Sequence, residues 1–230
     1  MIPGESPIEP ILPMLPGGTA GPRWQRRPEE RRREILDAAF LVFGEMGFTR
    51  ATLAHVAKHA GVSAGTISFH FKSKADLFEA VLRDKFVAFV ENEEAFLIGH
   101  RGSYLELLHL LMRRQWARLS EPGMMEMVVV TFQEAAEFPA SSQQLFQQIG
   151  ERFHRTISAT LEAGTRAGEF RALVAEGTAR VISSLIIGTA LTLHKAAKFD
   201  KVPLSCEQCF AGIVDFVNHA VGARPATGQA

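Results

Sequence analysis

Cysteine, excess charge of either sign and long apolar runs are all scarce in this sequence of 230 residues. The two cysteines, Cys206 and Cys209, are too few for the disulfide framework of a small secreted protein. The first residues lack the basic and continuous apolar segments of a secretion signal. The most apolar run, residues 181–193, is interrupted by Ser, Thr and Gly and falls short of the roughly 20 apolar residues that span a bilayer. We therefore expect a cytoplasmic protein without a membrane partner.

The charges balance overall but are unevenly placed along the chain. Because 25 Lys and Arg residues match 25 Asp and Glu residues, any attraction to nucleic acid depends on local clustering. Residues 23–74 contain ten basic and five acidic side chains, and the rest of the chain carries the compensating acidic excess. We predict that this N-terminal segment binds a polyanion.

The apolar residues recur at helical spacing, and no segment shows convincing strand alternation. We therefore predict an all-α protein that follows a disordered, Pro- and Gly-rich tail over residues 1–24. Helix signals indicate a first helix from Pro28 to Gly47, a short second helix after the cap residue Thr52, and a long helix from Ser73 to about residue 96. Later helices are predicted near residues 103–119, 123–137, 141–166, 176–198 and 205–221, before a flexible C-terminus over residues 223–230.

The segment GVSAG, Gly61–Gly65, fits the G-x-S-x-G pattern in which α/β-hydrolases present a nucleophilic serine, here Ser63. That arrangement needs a strand before the serine, but the preceding residues have an amphipathic helical pattern. Gly61 instead permits a left-handed turn, and Ser63 can cap the next helix through its hydroxyl. We predict a helix-turn-helix whose second helix covers about residues 64–71. A serine hydrolase that uses Ser63 is the rival enzymatic interpretation.

A stretch of about 50 residues carries a specific family pattern: REILDAAFLVFGEMGFTRATLAHVAKHAGVSAGTISFHFKSKADLFEAVL. Its features include a first helix that ends in Gly47 and Phe48, the GVS turn, and Phe71 followed by Ser73 and Lys74. In order and spacing it resembles the N-terminal DNA-binding domain of the tetracycline-repressor (TetR) family of bacterial transcription regulators. The later segments EFPASSQQLFQQI and AGEFR are similar to recurring features of the C-terminal domain of that family.

The resemblance implies a three-helix DNA-binding domain over residues 25–73 and a helical effector-binding and dimerisation domain over residues 74–222. Family members pair through their last two long helices, and a small molecule in the C-terminal core changes the spacing of the recognition helices. We therefore expect a homodimeric, ligand-responsive repressor that binds a palindromic operator, without a cofactor, a metal or a catalytic group. A helical module that binds only protein is the alternative from another class.

The predicted DNA-binding residues divide into two groups. Hydroxyl, imidazole and ammonium groups suit phosphate contacts, which fix position without reading sequence. The residues predicted to make these contacts are Thr52, Thr66, His70 and Lys74. Ser68 can bond a base edge, Phe69 can contact a thymine methyl, and Gly65 permits close approach to the groove. Ser63 and Ala64 begin the same helix and complete the predicted surface.

This surface departs from the usual family pattern, which leaves the operator open. Ala64 stands where a basic residue is frequent, and Ser68 and Phe69 stand where aromatic or polar ring residues often occur. An Arg-rich segment, residues 23–33, can replace the missing contact by reaching the DNA backbone or a minor groove, or else forms a solvated helix face. For Phe69 the alternative is packing inside the domain.

The C-terminal half supplies candidates for an effector pocket and a dimer interface. The predicted pocket residues are Met112, Trp116, Met127, Phe132 and Phe153, with Trp116 and Phe132 as walls. Polar groups that can orient a ligand are His109, Gln133, Glu134 and His154. The predicted dimer residues are Ser184, Gly188, Leu191, Phe210, Ile213 and Val217, and the alternative is that the last two helices are buried within a monomer.

Two short motifs receive structural interpretations. His55 and His59 lie four residues apart, but two ligands without a nearby carboxylate or thiol make a poor metal site. Cys206 and Cys209 have the spacing of a redox pair without its usual βαβ setting. We predict that they form the buried start of the last helix.

Overall fold

A computed structural model describes residues 23–197 and 205–222, and these residues form ten α-helices and no strand. The predicted all-α architecture, an N-terminal helix-turn-helix followed by a helical C-terminal part, is confirmed. Within the described ranges, no helix has the length and apolar composition needed to cross a bilayer. Most of the predicted tail, residues 1–22, and the predicted flexible C-terminus, residues 223–230, lie outside the described part of the chain.

The helix bounds agree with the predicted ones within a few residues, except at the start of the first helix. A π-helical segment, Arg83–Val87, joins the fourth helix to the fifth, and a 3₁₀ turn, Ala135–Glu137, follows the seventh. The α-helices are α1 (Arg23–Arg50), α2 (Leu53–Ala60), α3 (Ala64–His70), α4 (Lys74–Leu82), α5 (Ala88–Gly99), α6 (Tyr104–Leu119), α7 (Met124–Glu134), α8 (Ala140–Arg166), α9 (Ala175–Ala197) and α10 (Cys206–Val221).

Helix α1 begins earlier than predicted and bends near its end. It starts at Arg23, so Pro28 lies inside the helix, and residues 23–24 belong to the helix and not to the predicted tail. Proline lacks an amide hydrogen, so it omits one backbone bond without marking where the helix starts. Gly47 interrupts the helix with φ 78° and ψ 160°, a conformation almost confined to glycine. The chain turns there toward α2.

Side-chain caps define the helix-turn-helix. Thr52 Oγ1 accepts a hydrogen bond from the His55 amide at 3.2 Å and begins α2. Gly61, with φ 65°, ends α2, and Ser63 Oγ accepts from the Thr66 amide at 3.1 Å to begin α3. The predicted turn is confirmed. Ser63 follows a helix and caps a helix, so it lacks the preceding strand that a nucleophile of the hydrolase type needs.

Helices α4 and α5 and the π-helical segment form one continuous helical run, because the residues at both junctions keep right-handed helical angles. Ser73 caps the start of this run by accepting from the Asp76 amide at 3.0 Å, as predicted. A π-helical turn inserts an extra residue and rotates the face that follows. Phe86, inside the turn, and Phe89, just after it, both line the cavity described below.

An aromatic joint, formed by Phe48, Phe78 and Phe138, connects the helix-turn-helix to the C-terminal helices. Its ring centroids are 4.9 Å apart for Phe48 and Phe78, 4.8 Å for Phe78 and Phe138, and 5.6 Å for Phe48 and Phe138. All three side chains are buried, and they belong to one apolar core that extends from α1 to α10. Division into domains at residues 73 and 74 stays a prediction, since the apolar core is continuous across it.

Two polar contacts hold the chain after the Gly47 bend. Glu134, the last residue of α7, accepts hydrogen bonds at its Oε2 from the Thr49 amide at 2.9 Å and the Thr49 hydroxyl at 3.0 Å. Lys74 Nζ donates to the carbonyls of Phe48 at 2.8 Å and Thr49 at 3.1 Å. The segment that leads into α2 is therefore fixed by one residue of α7 and one residue of α4.

The AGEFR segment ties together elements that are distant in sequence. The Glu169 carboxylate accepts from the Leu105 amide at 3.1 Å, in the first turn of α6. The Arg171 amide donates to the Val221 carbonyl at 2.9 Å, at the end of α10. Phe170, between them, is buried in the apolar core. These contacts explain why the segment follows a helix end yet keeps a fixed conformation.

A buried carboxylate lies between α5 and α6. Glu93 is 0% exposed, and its Oε1 accepts from Arg114 Nε at 2.7 Å. The Arg114 guanidinium also lies 4.3 Å from the centroid of the Phe96 ring. Burial raises the pKa of Glu93, and the hydrogen bond and charge of Arg114 oppose that rise.

Candidate functional site

Helix α3 divides sharply into a buried side and an exposed side. Ile67 is buried in the core of the helix-turn-helix, as is Phe71 just after the helix. Phe69 is 82% exposed, so the alternative in which it packs inside the domain is wrong. The exposed residues of the helix are Ala64, Gly65, Ser68 and Phe69. Four of the predicted DNA-facing residues thus share one solvent-facing side.

The hydroxyls predicted to contact phosphates already make internal hydrogen bonds. Thr52 Oγ1 and Ser63 Oγ act as caps, and Ser63 Oγ lies 2.9 Å from Thr66 Oγ1. A hydroxyl has one donor and two acceptor positions, so these groups keep capacity for a further partner. His70 is half-buried, with its ring centroid 5.1 Å from that of Phe69. Their contacts with DNA stay predictions.

The ammonium group of Lys74 has an internal role that the sequence did not reveal. Besides its two bonds to the carbonyls of Phe48 and Thr49, Nζ lies 4.5 Å from the centroid of the Phe48 ring. Lys72, two residues earlier, is exposed, and only its backbone amide is bonded, to the Asp76 carboxylate at 2.9 Å, among the described residues. Lys72 is therefore the freer cation at this edge of the helix-turn-helix.

The Arg-rich segment of α1 makes some contacts with its own chain. Arg31 pairs with Glu34 at 2.6 Å, and the Arg32 guanidinium lies 5.4 Å from the Phe71 ring centroid. Both residues are exposed, which agrees with a solvated helix face and also leaves them accessible to DNA, so both alternatives stay predictions. The side chains of Arg23, Arg26 and Arg27 lie outside the described part of the structure.

A cavity of about 240 Å³ lies among the π-helical segment and helices α5 to α9. Its wall is almost entirely apolar, and Phe132, which is 68% exposed, lies where the wall meets solvent. Five phenylalanines contribute to the wall: Phe86, Phe89, Phe132, Phe146 and Phe153. A concave, mostly apolar site with a few polar groups is typical of small-molecule binding.

The structure brings together only some of the predicted pocket residues. Phe132 and Phe153 line the cavity, whereas Met112 and Met127 are fully buried in the core away from its wall. The prediction for Trp116 as a cavity wall is wrong: its ring packs on Phe210 with centroids 5.4 Å apart, in a groove between α6 and α10. Spacing along α6 could not reveal this, because Trp116 lies on the side that faces α10.

Of the predicted polar pocket groups, the cavity receives only His154. His109 bonds Asn218 at 2.6 Å, Gln133 is exposed, and Glu134 binds Thr49. Phe86, Phe89 and Phe146 were missed as wall residues. In the sequence, Phe86 and Phe89 belong to the apolar stripe after Ser73, and Phe146 ends the segment QQLF. Such a pattern shows that residues are buried, but not whether they face the packed core or a cavity.

Four buried polar atoms on the cavity residues have no hydrogen-bond partner among the described residues. They belong to α6, α8 and α9, and they are Gln115 Oε1, Arg118 Nε, His154 Nδ1 and Ser183 Oγ. Burial, followed by the nearby charge of Arg180, lowers the pKa of His154, which favours the neutral imidazole. Unpaired buried polar atoms are uncommon, and each needs a reason.

The outer faces of α9 and α10 form a second exposed apolar surface. Val181 of α9 is 54% exposed and Phe216 of α10 is 57% exposed. Ser184, Gly188 and Gly212 are exposed on the same two helices, and a Cβ at either glycine would meet no atom of the described residues within 4 Å. Helices with small residues on an exposed face can approach a partner helix closely.

The predicted dimer residues divide between this outer face and the core. Ser184 and Gly188 are on the outer face, and Leu191 and Phe210 are half-buried. Ile213 and Val217 are buried within the protomer, so their prediction as interface residues is wrong. They lie one position after Gly212 and Phe216, and one residue rotates a helix by about 100°, which turns them inward.

The paired histidines of α2 and the paired cysteines of α10 lie at or near the protein surface. His55 and His59 are both exposed on α2. Cys206 begins α10 behind a capping box formed by Ser205 and Gln208, and Cys209 is half-buried. The prediction that the cysteines form a buried helix start is therefore wrong, because Cys206 is exposed.

A capped helix-turn-helix with an exposed second helix, set on a helical body that encloses an apolar cavity, defines a ligand-responsive transcriptional regulator. Residues 35–81 match the model of the bacterial regulatory proteins of the tetR family, and residues 106–205 match the C-terminal domain of AefR-like transcriptional repressors. The chain belongs to the TetR family of transcriptional regulators.

Individual relatives agree with this assignment. The fatty acid metabolism regulator protein of Bacillus subtilis is 28% identical over 187 residues, which cover 79% of this chain and 92% of that protein. The BetI regulator of Cronobacter sakazakii is 48% identical over 54 residues, only 24% of this chain and 27% of BetI. The structure of a transcriptional regulator from Saccharomonospora viridis in complex with choline has a TM-score of 0.70, with 26% identity, and covers 86% of this chain and 100% of that one.

Proposed function

We propose that this protein is a homodimeric repressor that binds a palindromic operator with α3 of each protomer in a major groove, and that an effector in the apolar cavity releases it. The observation that supports DNA reading most directly is the exposed side of α3, where Ser68 and Phe69 project from a helix whose other side is anchored by Ile67. A serine can bond a base edge and an aromatic ring can contact a thymine methyl.

Selection of duplexes from a random DNA pool at near-physiological salt tests this proposal. A dimer with two recognition helices is expected to enrich an inverted repeat whose half-sites lie about one helical turn apart. Failure to enrich any sequence, by protein that is folded and dimeric, would contradict operator binding in the free form. It would then favour the protein-interaction alternative or a ligand-dependent activator.

The two lysines near α3 give a matched pair of variants. We propose that Lys72 takes the phosphate contact first assigned to Lys74, because its ammonium is the freer of the two. Lys72→Ala is expected to leave stability unchanged and to reduce the salt slope of DNA binding by about one. Lys74→Ala is expected to lower stability by about 1–2 kcal/mol, since it removes two hydrogen bonds to carbonyls from a charged donor. Thermal unfolding measures the stability of each variant, and DNA binding across a salt series measures its salt slope. Equal stability of the two variants would contradict the structural role assigned to Lys74.

We propose that the outer faces of α9 and α10 pair with the same faces of a second protomer across a two-fold axis. The support is an exposed stripe on α9, from Val181 through Ser184 to Gly188, together with the exposed Gly212 and Phe216 on α10, a helix that packs on α9. Such a self-complementary apolar surface suits an isologous dimer.

Gly188→Arg is expected to convert the dimer to a monomer without harming the fold. A Cβ at this position meets no atom within 4 Å in the described part of the protomer, and arginine favours a helix more than glycine does. Gly99→Arg is the matched control, because Gly99 is also exposed on a helix with no atom within 4 Å of its Cβ, but on α5. Light scattering measures the mass of each. A dimeric Gly188→Arg protein would exclude this interface.

Helix α7 is the element through which we propose the cavity acts on DNA binding. Val128 and Phe132 of this helix line the cavity, and Glu134 at its end binds Thr49, three residues before the Thr52 cap of α2. A ligand that displaces α7 would move the segment that orients the helix-turn-helix. Glu134→Gln is expected to weaken the response of DNA binding to an effector more than it weakens DNA binding itself.

A further inference from the structure

Resting on the proposed effector role of the cavity, we infer that its ligand is an acyl compound: an apolar hydrocarbon body with a carboxylate or carbonyl oxygen that accepts hydrogen bonds inside the cavity. The inference excludes a quaternary ammonium ligand such as choline. It follows from the shape of the wall, the kind of polar atom left unpaired on it, and the sign of its charge.

The side of the cavity wall formed by the α4–α5 run and by α7 is suited to contact with a hydrocarbon chain. Phe86, Phe89 and Val90 from the α4–α5 run lie in the same lining as Val128 and Phe132 from α7. The one polar side chain that α7 adds, Thr131, donates its hydroxyl hydrogen to the Val128 carbonyl at 2.7 Å and so has no free donor. The volume of about 240 Å³ equals roughly eight water volumes, enough for a body of about eight heavy atoms with the rest of a longer chain leaving past Phe132.

The remaining helices of the wall supply the polar atoms. Gln115 and Arg118 lie one turn apart on α6, His154 is on α8, and Ser183 is on α9, and these three helices pack on one another. An arginine Nε–H can only donate, and a serine hydroxyl bonds its hydrogen to any acceptor in reach. Because neither of them has an acceptor within hydrogen-bond distance among the described residues, an oxygen of the ligand can accept from them, whereas the unpaired Gln115 Oε1 can only accept.

Charge decides between an acyl compound and a cation. Among the described residues, the cavity wall contains no carboxylate, and Arg118 is its one side chain that is always charged. Glu121 binds Arg118 through Nη1, and the Lys85 carbonyl accepts from Nη2 at 2.5 Å, while the buried Nε–H has no acceptor among the described residues. Phenylalanine rings attract a quaternary ammonium, but the described wall has no carboxylate to balance a buried positive charge, and its one fixed charge is the Arg118 guanidinium, which Glu121 already pairs.

Direct binding to the full-length protein tests the inference with chosen probes. Calorimetry is expected to detect binding of straight-chain carboxylates, of their coenzyme A thioesters, or of both, over chain lengths from hexanoyl to stearoyl, and no binding of choline. Preference for the free acid or for the thioester identifies which source supplies the shared acyl chemistry. Choline binding, or absence of binding by every acyl probe, overturns the inference. The selection of DNA duplexes tests operator binding in a separate experiment. A failure of the proposed regulator function can therefore be distinguished from a failure of the ligand assignment.

Ser183→Ala distinguishes a ligand-binding hydroxyl from a merely buried one. Removal of an unpaired buried hydroxyl is expected to raise Tm by about 2–4 °C. If the ligand oxygen accepts from Ser183, the same change weakens acyl binding by about tenfold.

Ser142→Ala is the matched control. Ser142 is also buried, its hydroxyl has no partner in the part of the chain that the structure describes, and it does not line the cavity. We expect the same rise in Tm and unchanged acyl binding. Equal acyl affinity for both variants would remove Ser183 from the site and leave the inference without its central donor.

Discussion

Gly47→Ala is expected to lower the free energy of unfolding by about 3–4 kcal/mol. Two effects add. The φ of 78° with a ψ of 160° is strained for any residue with a Cβ, and a Cβ at this place overlaps the Glu134 carboxylate. Because the same carboxylate holds Thr49, DNA binding is expected to fall together with stability.

Two further variants separate these effects. Gly61 also has a positive φ, 65°, but no atom lies within 4 Å of its Cβ, so Gly61→Ala carries conformational strain alone and is expected to cost about 1–2 kcal/mol. Adding Glu134→Ala to Gly47→Ala removes the overlap but not the strain, and is expected to recover part of the loss. Urea denaturation measures the free energy of unfolding of the wild type, the two single glycine variants and the double variant. Equal losses for Gly47→Ala and Gly61→Ala would show that the overlap with Glu134 has no energetic effect.

Arg114→Ala is expected to destabilise the protein by about 3 kcal/mol at neutral pH, because it leaves the buried Glu93 carboxylate without its partner. Glu93→Gln added to this variant is expected to restore most of the loss, since a neutral amide is less costly to bury than an unpaired charge. If the double variant is as unstable as Arg114→Ala alone, the lost packing on Phe96 is the cause and the ion pair is not.

The same pair predicts a pH dependence with a definite sign. Burial raises the folded-state pKa of Glu93 above its unfolded value, so its contribution to stability is fully present below the unfolded pKa and is lost as the pH rises through the folded pKa. Removal of Arg114 removes the hydrogen bond and the positive charge that oppose this rise in the pKa of Glu93. The stability difference between wild type and Arg114→Ala is therefore expected to shrink as the pH falls from 7 toward 4.5, the ordinary value for glutamate. A difference that is constant with pH would exclude Glu93 as its source.

The local structure of the helix-turn-helix was predictable because its signals act within three or four residues. Thr52, Ser63 and Ser73 cap the helices that follow them, and Gly61 makes the left-handed turn between α2 and α3. Each of these interactions joins a side chain to the next turn of its own chain, so its residues and spacing are visible in sequence.

The residues that were misplaced depend on which side of a helix meets another helix. Trp116 faces α10 rather than the cavity, Ile213 and Val217 face inward, and Lys74 reaches back 26 residues to the Phe48 carbonyl. A stripe of apolar residues fixes one face of a helix, but long-range packing decides whether that face meets core, cavity or a second protomer. Cavities are especially hidden, because they are defined by space that the surrounding side chains leave unfilled.

The aromatic joint limits how this protein can be recombined with its relatives. A chimera that transplants residues 25–73 onto another C-terminal half would separate Phe48 from Phe78 and Phe138, and Thr49 from Glu134. New operator specificity is therefore better introduced by changing the exposed side of α3, which leaves those contacts intact. The residues to transfer between relatives are therefore those on the exposed side of α3, and not the whole DNA-binding half.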